Sequence, residues 1–236
     1  VSGVIEQVKA LQDLGYRYQF YLFPGQDHYG PPIDDQWVAG ADYEHQFVLN
    51  PNPPEVTYIR SMVFEHAIDT VNSNGVQFNF DFDHAYWMSG LEPVEQKSGT
   101  AEIDARSLAI PDPPHTDLPQ TGAPAGPYQG WPYTMVGQEW GPGLISTAAP
   151  ASNGFEATLT GACAVTLDTH RMRLHTTVPM SGQVTNDAPL ALTLTGVWPA
   201  GTTVTDNGAT ADFQRGAGEL VIELPAGTNK LAITPS

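Results

Sequence analysis

The residues of this chain best suited to chemistry are Asp27 and His28, which follow a Pro24-Gly25 turn. A neutral imidazole accepts a proton near pH 7, so histidine is the most common general base in enzymes. Such a base hydrolyses little unless it activates a positioned nucleophile and is itself oriented by a third group. His28 is therefore the catalytic candidate of this sequence. The alternative is that His28 is an ordinary loop histidine.

Two elements must position His28. Residues 1–14 carry apolar side chains at the spacing of one helix face, and Gly15 supplies a helix stop. Residues 17–23 form an aromatic-rich run with strand composition, which the Pro24-Gly25 turn ends. A helix followed by a buried strand, with a histidine at the strand's carboxyl end, is the arrangement that open α/β sheets use for active sites.

This segment resembles the end of the catalytic domain of α/β-hydrolases, especially secreted bacterial prolyl-oligopeptidase-like peptidases and esterases. The shared features are the helix, the final strand and a Pro-Gly-x-x-His loop, here Pro24 to His28, and they cover residues 1–50. The resemblance implies that His28 is the general base of a Ser-Asp-His triad, whose members follow that chain order. It also implies a peptide or ester substrate, bound through the parent catalytic domain.

The other two members of such a triad are missing from this sequence. The nucleophile motif Gly-x-Ser-x-Gly does not occur in it, and the resemblance puts the acidic member upstream of Val1. In a serine protease, loss of the nucleophile alone costs roughly a million-fold in turnover. Val1 is not a methionine, and no export signal precedes the helix. We therefore expect a carboxyl-terminal fragment of a secreted serine hydrolase that is inactive by itself.

Composition limits the partners. The 236 residues include 9 Lys+Arg and 26 Asp+Glu, a formal net charge of -17. This acidity argues against nucleic acid and anionic membrane as partners, and no apolar run is long enough to span a bilayer. Scarce lysine with abundant Gly, Pro and Thr is typical of exported proteins, so we expect an extracellular location.

Neither a metal nor a cofactor is expected. Asp81 and Asp83 could ligate a metal together with His84, but strand alternation puts the histidine on the opposite face. The single cysteine, Cys163, lies in an apolar run, which favours a buried and inert thiol.

Beyond residue 50 the sequence period changes from helical to alternating. The segment Asn50–Pro54 contains three prolines, which cannot continue a helix, and we place a domain boundary there. The predicted regions are a hydrolase remnant at 1–50, a β-rich region with a Pro/Gly-rich linker at 51–154, and a β-sandwich accessory domain at 155–236. The predicted fold class is mainly β: an immunoglobulin-like β-sandwich preceded by the last helix, strand and histidine loop of an α/β-hydrolase domain.

The strands of the β regions are predicted from runs of β-branched and alternating residues. These runs are 56–64, 76–82, 83–88, 100–110, 155–159, 163–167, 171–178, 190–195, 219–224 and 230–234.

The competing hypothesis is a non-catalytic β-sandwich module that binds carbohydrate. Trp131 and Trp140 lie in a proline- and glycine-rich stretch, and exposed aromatic rings stack on sugar rings. More often such residues hold a proline-rich segment against its own domain. A third interpretation is a structural domain that shields or positions the catalytic face.

Overall fold

The chain is mainly β. Our computed structural model describes residues 2–14, 16, 18–22, 41, 44–45, 50–68, 82–111, 116–117, 127–128, 131–132, 134–139 and 151–236. The helices with defined bounds are α1 (Ser2–Asp13) and α2 (Met62–Ile68). The strands are β1 (Tyr18–Leu22), β2 (Glu55–Ser61), β3 (Met88–Pro93), β4 (Thr100–Ser107), β5 (Thr116–Asp117), β6 (Pro127–Tyr128), β7 (Trp131–Pro132), β8 (Thr134–Glu139), β9 (Gly154–Thr160), β10 (Ala162–Asp168), β11 (Met180–Asn186), β12 (Leu190–Thr195), β13 (Thr203–Asp206), β14 (Ala209–Thr210), β15 (Asp212–Arg215), β16 (Glu219–Leu224) and β17 (Gly227–Thr234).

Backbone contacts divide the chain into two compact units. Unit 1 consists of residues 1–49 and 112–148, and unit 2 of residues 50–111 and 149–236. Unit 1 contains a three-stranded sheet in the order β1-β8-β5 and the pair β6-β7. Unit 2 contains a five-stranded sheet, β15-β16-β12-β10-β3, and a seven-stranded sheet, β14-β13-β17-β11-β9-β4-β2. Both sheets of unit 2 are mixed, because β10 and β12 pair in parallel and so do β9 and β11.

The core of unit 2 is formed by the alternate residues of both sheets. In the five-stranded sheet, Phe213, Ile222, Leu192 and Val165 are successive partners across four strands. Ile222, Leu192 and Val165 belong to one hydrophobic cluster that also contains residues of the seven-stranded sheet, and the partly buried Phe213 packs against it. The alternation of buried and exposed positions follows from the two-residue period of a strand, which turns every second side chain inward.

Packing requires glycine at one position of the seven-stranded sheet. Gly182 pairs with Phe155, and a Cβ atom at Gly182 would lie 2.6 Å from the ring of that phenylalanine. Phe155 is 1% exposed, so its ring fills the space that a larger residue at position 182 would occupy. A side chain there would displace the ring from the core.

The structure confirms several predicted elements. The first helix, the strand after it, and the strands at 190–195 and 219–224 form close to their predicted bounds. The predicted strand at 76–82 lies, apart from its last residue, outside the described residues. The sequence patterns did not identify β11 and β13, which lack long apolar runs.

Four predicted strands are wrong in part or entirely, and one of them, the run 100–110, ends as a strand at Ser107. The run 56–64 ends as a strand at Ser61, because Met62 begins α2. The run 83–88 is not a strand: Ala85 and Met88 exchange backbone hydrogen bonds, and the chain reverses at Tyr86, whose φ is 52°. The run 171–178 is a tight turn in which Arg173 has a φ of 58°. In that turn, exposed and buried residues alternate as they would in a strand.

Candidate functional site

His28 lies outside the described residues, so the site is approached through the two elements that precede it. Helix α1 ends as predicted before Gly15: Leu14 N donates to Ala10 O and Tyr16 N donates to Leu11 O, both at 3.0 Å. Strand β1 begins at Tyr18, which is 6% exposed. The predicted order of helix, short stop and strand is therefore present up to Leu22, six residues before His28.

The apolar face of α1 is open to solvent. Exposure is 49% for Val4, 47% for Ile5, 37% for Leu11 and 69% for Leu14. Val4, Ile5 and Leu11 lie on the apolar side of the helix, where Val8 is half-buried, and Leu14 follows the last helical residue. A surface helix ordinarily buries this side. In a compact domain such a face is covered by a sheet or another helix.

Strand β1 is the outermost strand of its described sheet, and it runs antiparallel to β8. Phe20 pairs with Val136 and Leu22 pairs with Thr134. Strand β1 takes its partner from residues 134–139, on the far side of the Asn50–Pro54 boundary in the sequence. The described sheet of unit 1 is thus not the parallel sheet of a complete α/β domain.

Of the residues considered as metal ligands, the structure describes Asp83 and His84, which lie close together. His84 Nδ1 lies 3.2 Å from Asp83 Oδ1, and the histidine side chain is 61% exposed. The expectation that strand alternation separates these two residues was wrong, because they lie in an irregular segment before β3. Asp81 is outside the described residues. Among the residues that the structure describes, there is no group of three or more side chains able to hold a metal ion.

Sequence reasoning missed a partly buried ion network around Arg60. Its guanidinium donates to Glu65 at 2.7 and 3.1 Å and to Glu92 at 2.9 Å. It also donates to the backbone carbonyl of Leu91 at 2.7 Å. The hydrogen bonds to Glu65 are the main cause that raises the pKa of Arg60, and those to Glu92 add to it, whereas burial opposes them. The sequence does contain a signal for this network, because strand alternation places Arg60 on the same inward face of β2 as Val56 and Tyr58.

The geometry of this network is that of an interaction that stabilises the fold. Both Glu65 oxygens accept hydrogen bonds from one guanidinium, which fixes the position of the carboxylate. Arg60 connects β2, α2 and β3, and thereby joins an edge strand of the seven-stranded sheet to an edge strand of the five-stranded sheet.

The remaining sequence candidates are placed as follows. Cys163 is only partly buried, and its Sγ lies 3.5 Å from the carbonyl of Pro93. Trp131 begins β7, and Trp140 is outside the described residues. In the described part of the chain, no helix has the length and apolar character needed to cross a membrane.

Comparison of the chain with family models, with curated proteins and with solved structures found no match.

Proposed function

We propose that this chain is the carboxyl-terminal part of a secreted serine hydrolase, a peptidase or an esterase, in which His28 is the general base. The observation that carries the proposal is the exposed apolar face of α1 next to an outermost strand. It supports the view that residues 1–49 belong to a larger α/β domain whose other layers come from residues upstream.

The energetic argument concerns four large apolar side chains. Burying one such side chain stabilises a fold by about 1.5–3 kcal/mol relative to leaving it in water. Val4 and Ile5 keep about half of their surface exposed and Leu14 keeps more, so about half or more of that stabilisation is not realised here. A helix whose apolar face is kept open is best explained by a partner layer that covers it.

In the proposed enzyme His28 takes the proton from a serine hydroxyl as that oxygen attacks the carbonyl carbon, and later gives it to the leaving group. An upstream aspartate would orient the imidazole and stabilise its charged form. By the resemblance, both partners precede Val1. This chain alone would then bind no oxyanion and hydrolyse no ester faster than free imidazole does.

Unit 2 would be the accessory domain of this hydrolase, an immunoglobulin-like β-sandwich. Support comes from its two sheets, which contribute alternate residues to one core. The parallel pairs β9-β11 and β10-β12 depart from the antiparallel sheets of an immunoglobulin domain. Its role would be to support or shield the catalytic unit outside the cell.

The test requires the longer protein with its serine and aspartate. A fluorophosphonate probe labels serines that a histidine base activates. We expect His28→Ala to abolish labelling, because an unassisted serine hydroxyl is a weak nucleophile. His45→Ala is the matched control, since His45 belongs to the same unit and is exposed. Undiminished labelling of the His28→Ala protein would exclude the assignment.

Carbohydrate binding is the second candidate, and one surface of unit 2 favours it. Thr57, Asp104, Thr158, Thr185 and Thr228 are consecutive partners across five strands on the outer side of the seven-stranded sheet. Such a row presents hydroxyl groups that can exchange hydrogen bonds with a sugar. Binding on a glycan array that is lost on Thr158→Val, and kept on Thr203→Val, would favour this function. Loss on Trp131→Ala alone would place the ligand in unit 1 instead.

A further inference from the structure

One exposed turn of unit 2 contains an asparagine followed by a glycine, a dipeptide that can react with itself. Asn207 and Gly208 form the two-residue loop of the hairpin that joins β13 to β14. Both have a positive φ, 50° and 83°, as such a loop requires. Asparagine is a thermolabile residue, because its side-chain carbonyl carbon lies within reach of the backbone nitrogen of the next residue. A glycine in the next position leaves that nitrogen unshielded, since it has no Cβ atom.

Few contacts hold this loop in place. Asn207 and Gly208 are exposed, and a Cβ atom at Gly208 would have nothing within 4 Å. Within the described residues, the side chain of Asn207 has a single hydrogen bond, from Nδ2 to Thr228 O at 3.1 Å, and the backbone N–H of Gly208 has no acceptor. Strand β14 consists of two exposed residues at the end of its sheet. Opening of this hairpin end therefore costs little and lets the side chain of Asn207 reorient.

A second Asn-Gly pair of unit 2 is held firmly. Asn153 Nδ2 donates to the carbonyls of His175 and Pro179 at 2.9 and 3.0 Å, and its Oδ1 accepts a hydrogen bond from His175 N at 2.8 Å. The backbone N–H of Gly154 donates to Ser152 O at 2.9 Å, and Gly154 is buried. Both groups that would have to react are thus engaged in other contacts. The same dipeptide therefore serves as an internal comparison.

We propose that Asn207 is a site of spontaneous deamidation. The backbone nitrogen of Gly208 attacks Cγ of Asn207, the bond from Cγ to Nδ2 breaks, and ammonia leaves with the proton that the Gly208 nitrogen gives up. The product is a cyclic succinimide. Water then opens the ring at Cγ to give aspartate, or at the backbone carbonyl carbon to give isoaspartate, in which the chain runs through the former side chain. The reaction needs only water as co-reactant.

Conversion changes the hairpin in charge and in backbone length. An ionised carboxylate has no N–H group, so the hydrogen bond to Thr228 O is lost. The new charge is negative and adds to a formal net charge of -17. Isoaspartate also lengthens the loop by one backbone carbon atom, which no longer fits a two-residue hairpin. Newly made and aged chains should therefore differ at this end of the seven-stranded sheet. This inference is independent of the chemistry proposed for His28.

The test follows the folded chain over time at constant temperature and neutral pH, with tryptic digestion and mass spectrometry of each sample. The three Asn-Gly pairs of the sequence fall on separate tryptic peptides, 61–97, 107–171 and 174–215. The first pair, Asn74-Gly75, lies outside the described residues. We expect Asn207 to convert at least about tenfold faster than Asn153, because several hydrogen bonds must open before Asn153 can react. Fragment ions locate the change at position 207.

Asn207→Gln is the matched variant, since the longer side chain closes a larger ring and does so more slowly. Conversion within peptide 174–215 should then stop. In concentrated urea, Asn207 and Asn153 of the wild type should convert at similar rates, because neither is held there. The proposal fails if the folded chain converts Asn207 no faster than Asn153, or if peptide 174–215 of the variant still converts at the wild-type rate. A difference in urea as large as in the folded chain would overturn the role given to the structure.

Discussion

Replacing Arg60 with methionine should destabilise unit 2 strongly. The substitution keeps much of the side-chain volume but removes every hydrogen bond of the guanidinium, leaving Glu65 and the carbonyl of Leu91 without their donor. Arg60 and Glu65 are 11% and 13% exposed, so water cannot fully replace the lost partner. Breaking a buried ion pair costs about 3–5 kcal/mol. Because Glu92 is 37% exposed and remains partly solvated, we expect Arg60→Met to lower the free energy of unfolding by about 2–4 kcal/mol.

Urea unfolding of the Arg60→Met and Glu65→Gln variants and of the double variant would measure this loss and the coupling between the two residues. The double variant should be less destabilised than the sum of the single variants, since no buried charge is then left alone. Arg106→Met is the matched control: the pair of Arg106 with Glu55 spans 3.3 Å, with side chains 35% and 47% exposed. Exposed pairs contribute about 0–1 kcal/mol.

The pH dependence of the Arg60 contribution has a definite sign. Hydrogen bonds to Glu65 raise the pKa of Arg60 in the folded state. A base whose pKa is raised by folding stabilises the fold fully below its unfolded pKa and loses that effect only as the pH rises through the folded value. Arg60 itself should therefore cause no change in stability between about pH 5 and pH 9. A loss below about 1 kcal/mol for Arg60→Met, as for an exposed pair, would refute this reasoning.

Two further predictions concern packing and backbone conformation, both measured by urea unfolding. Leu192→Ala should lower the free energy of unfolding by about 2–5 kcal/mol, because Leu192 is 0% exposed. The control Val197→Ala changes a side chain that is 75% exposed, so its effect should stay within about 0.5 kcal/mol. Equal effects of the two substitutions would contradict the assigned core. Gly208→Ala should cost about 1–2 kcal/mol, for a φ of 83° with open space around the new Cβ. Gly161→Ala should cost clearly more, because its φ is 65° and the Cβ would lie 2.4 Å from the carbonyl of Thr100; a smaller loss than for Gly208→Ala would contradict that contact.

Elements with strong local patterns could be predicted from the sequence. The helix at Ser2–Asp13 has its apolar residues at helical spacing, and Leu190–Thr195 alternates leucines with smaller residues. The Asp206-Asn207-Gly208 turn has residues at φ of 50° and 83°, as a two-residue hairpin requires. In these cases local preference and tertiary packing favour the same conformation.

Elements whose conformation depends on distant contacts could not be predicted. The turn at Arg171 alternates exposed and buried residues like a strand, yet its conformation is fixed by bonds to residues more than a hundred positions earlier. Pairing of β1 with β8 likewise joins segments far apart in the sequence. The ion network of Arg60 shows the same limit, because one of its acceptors, Glu92, lies on another strand. Local sequence patterns carry no information about such partners.

The central claim is that His28 is the general base of a serine hydrolase. Its most direct test is the steady-state hydrolysis of an activated ester by the longer protein, carrying either His28→Ala or the control His45→Ala. The account predicts that kcat falls by roughly 10⁴-fold or more for His28→Ala, as for triad residues in serine proteases, and stays unchanged for the control. A kcat for His28→Ala close to that of the control would contradict the account.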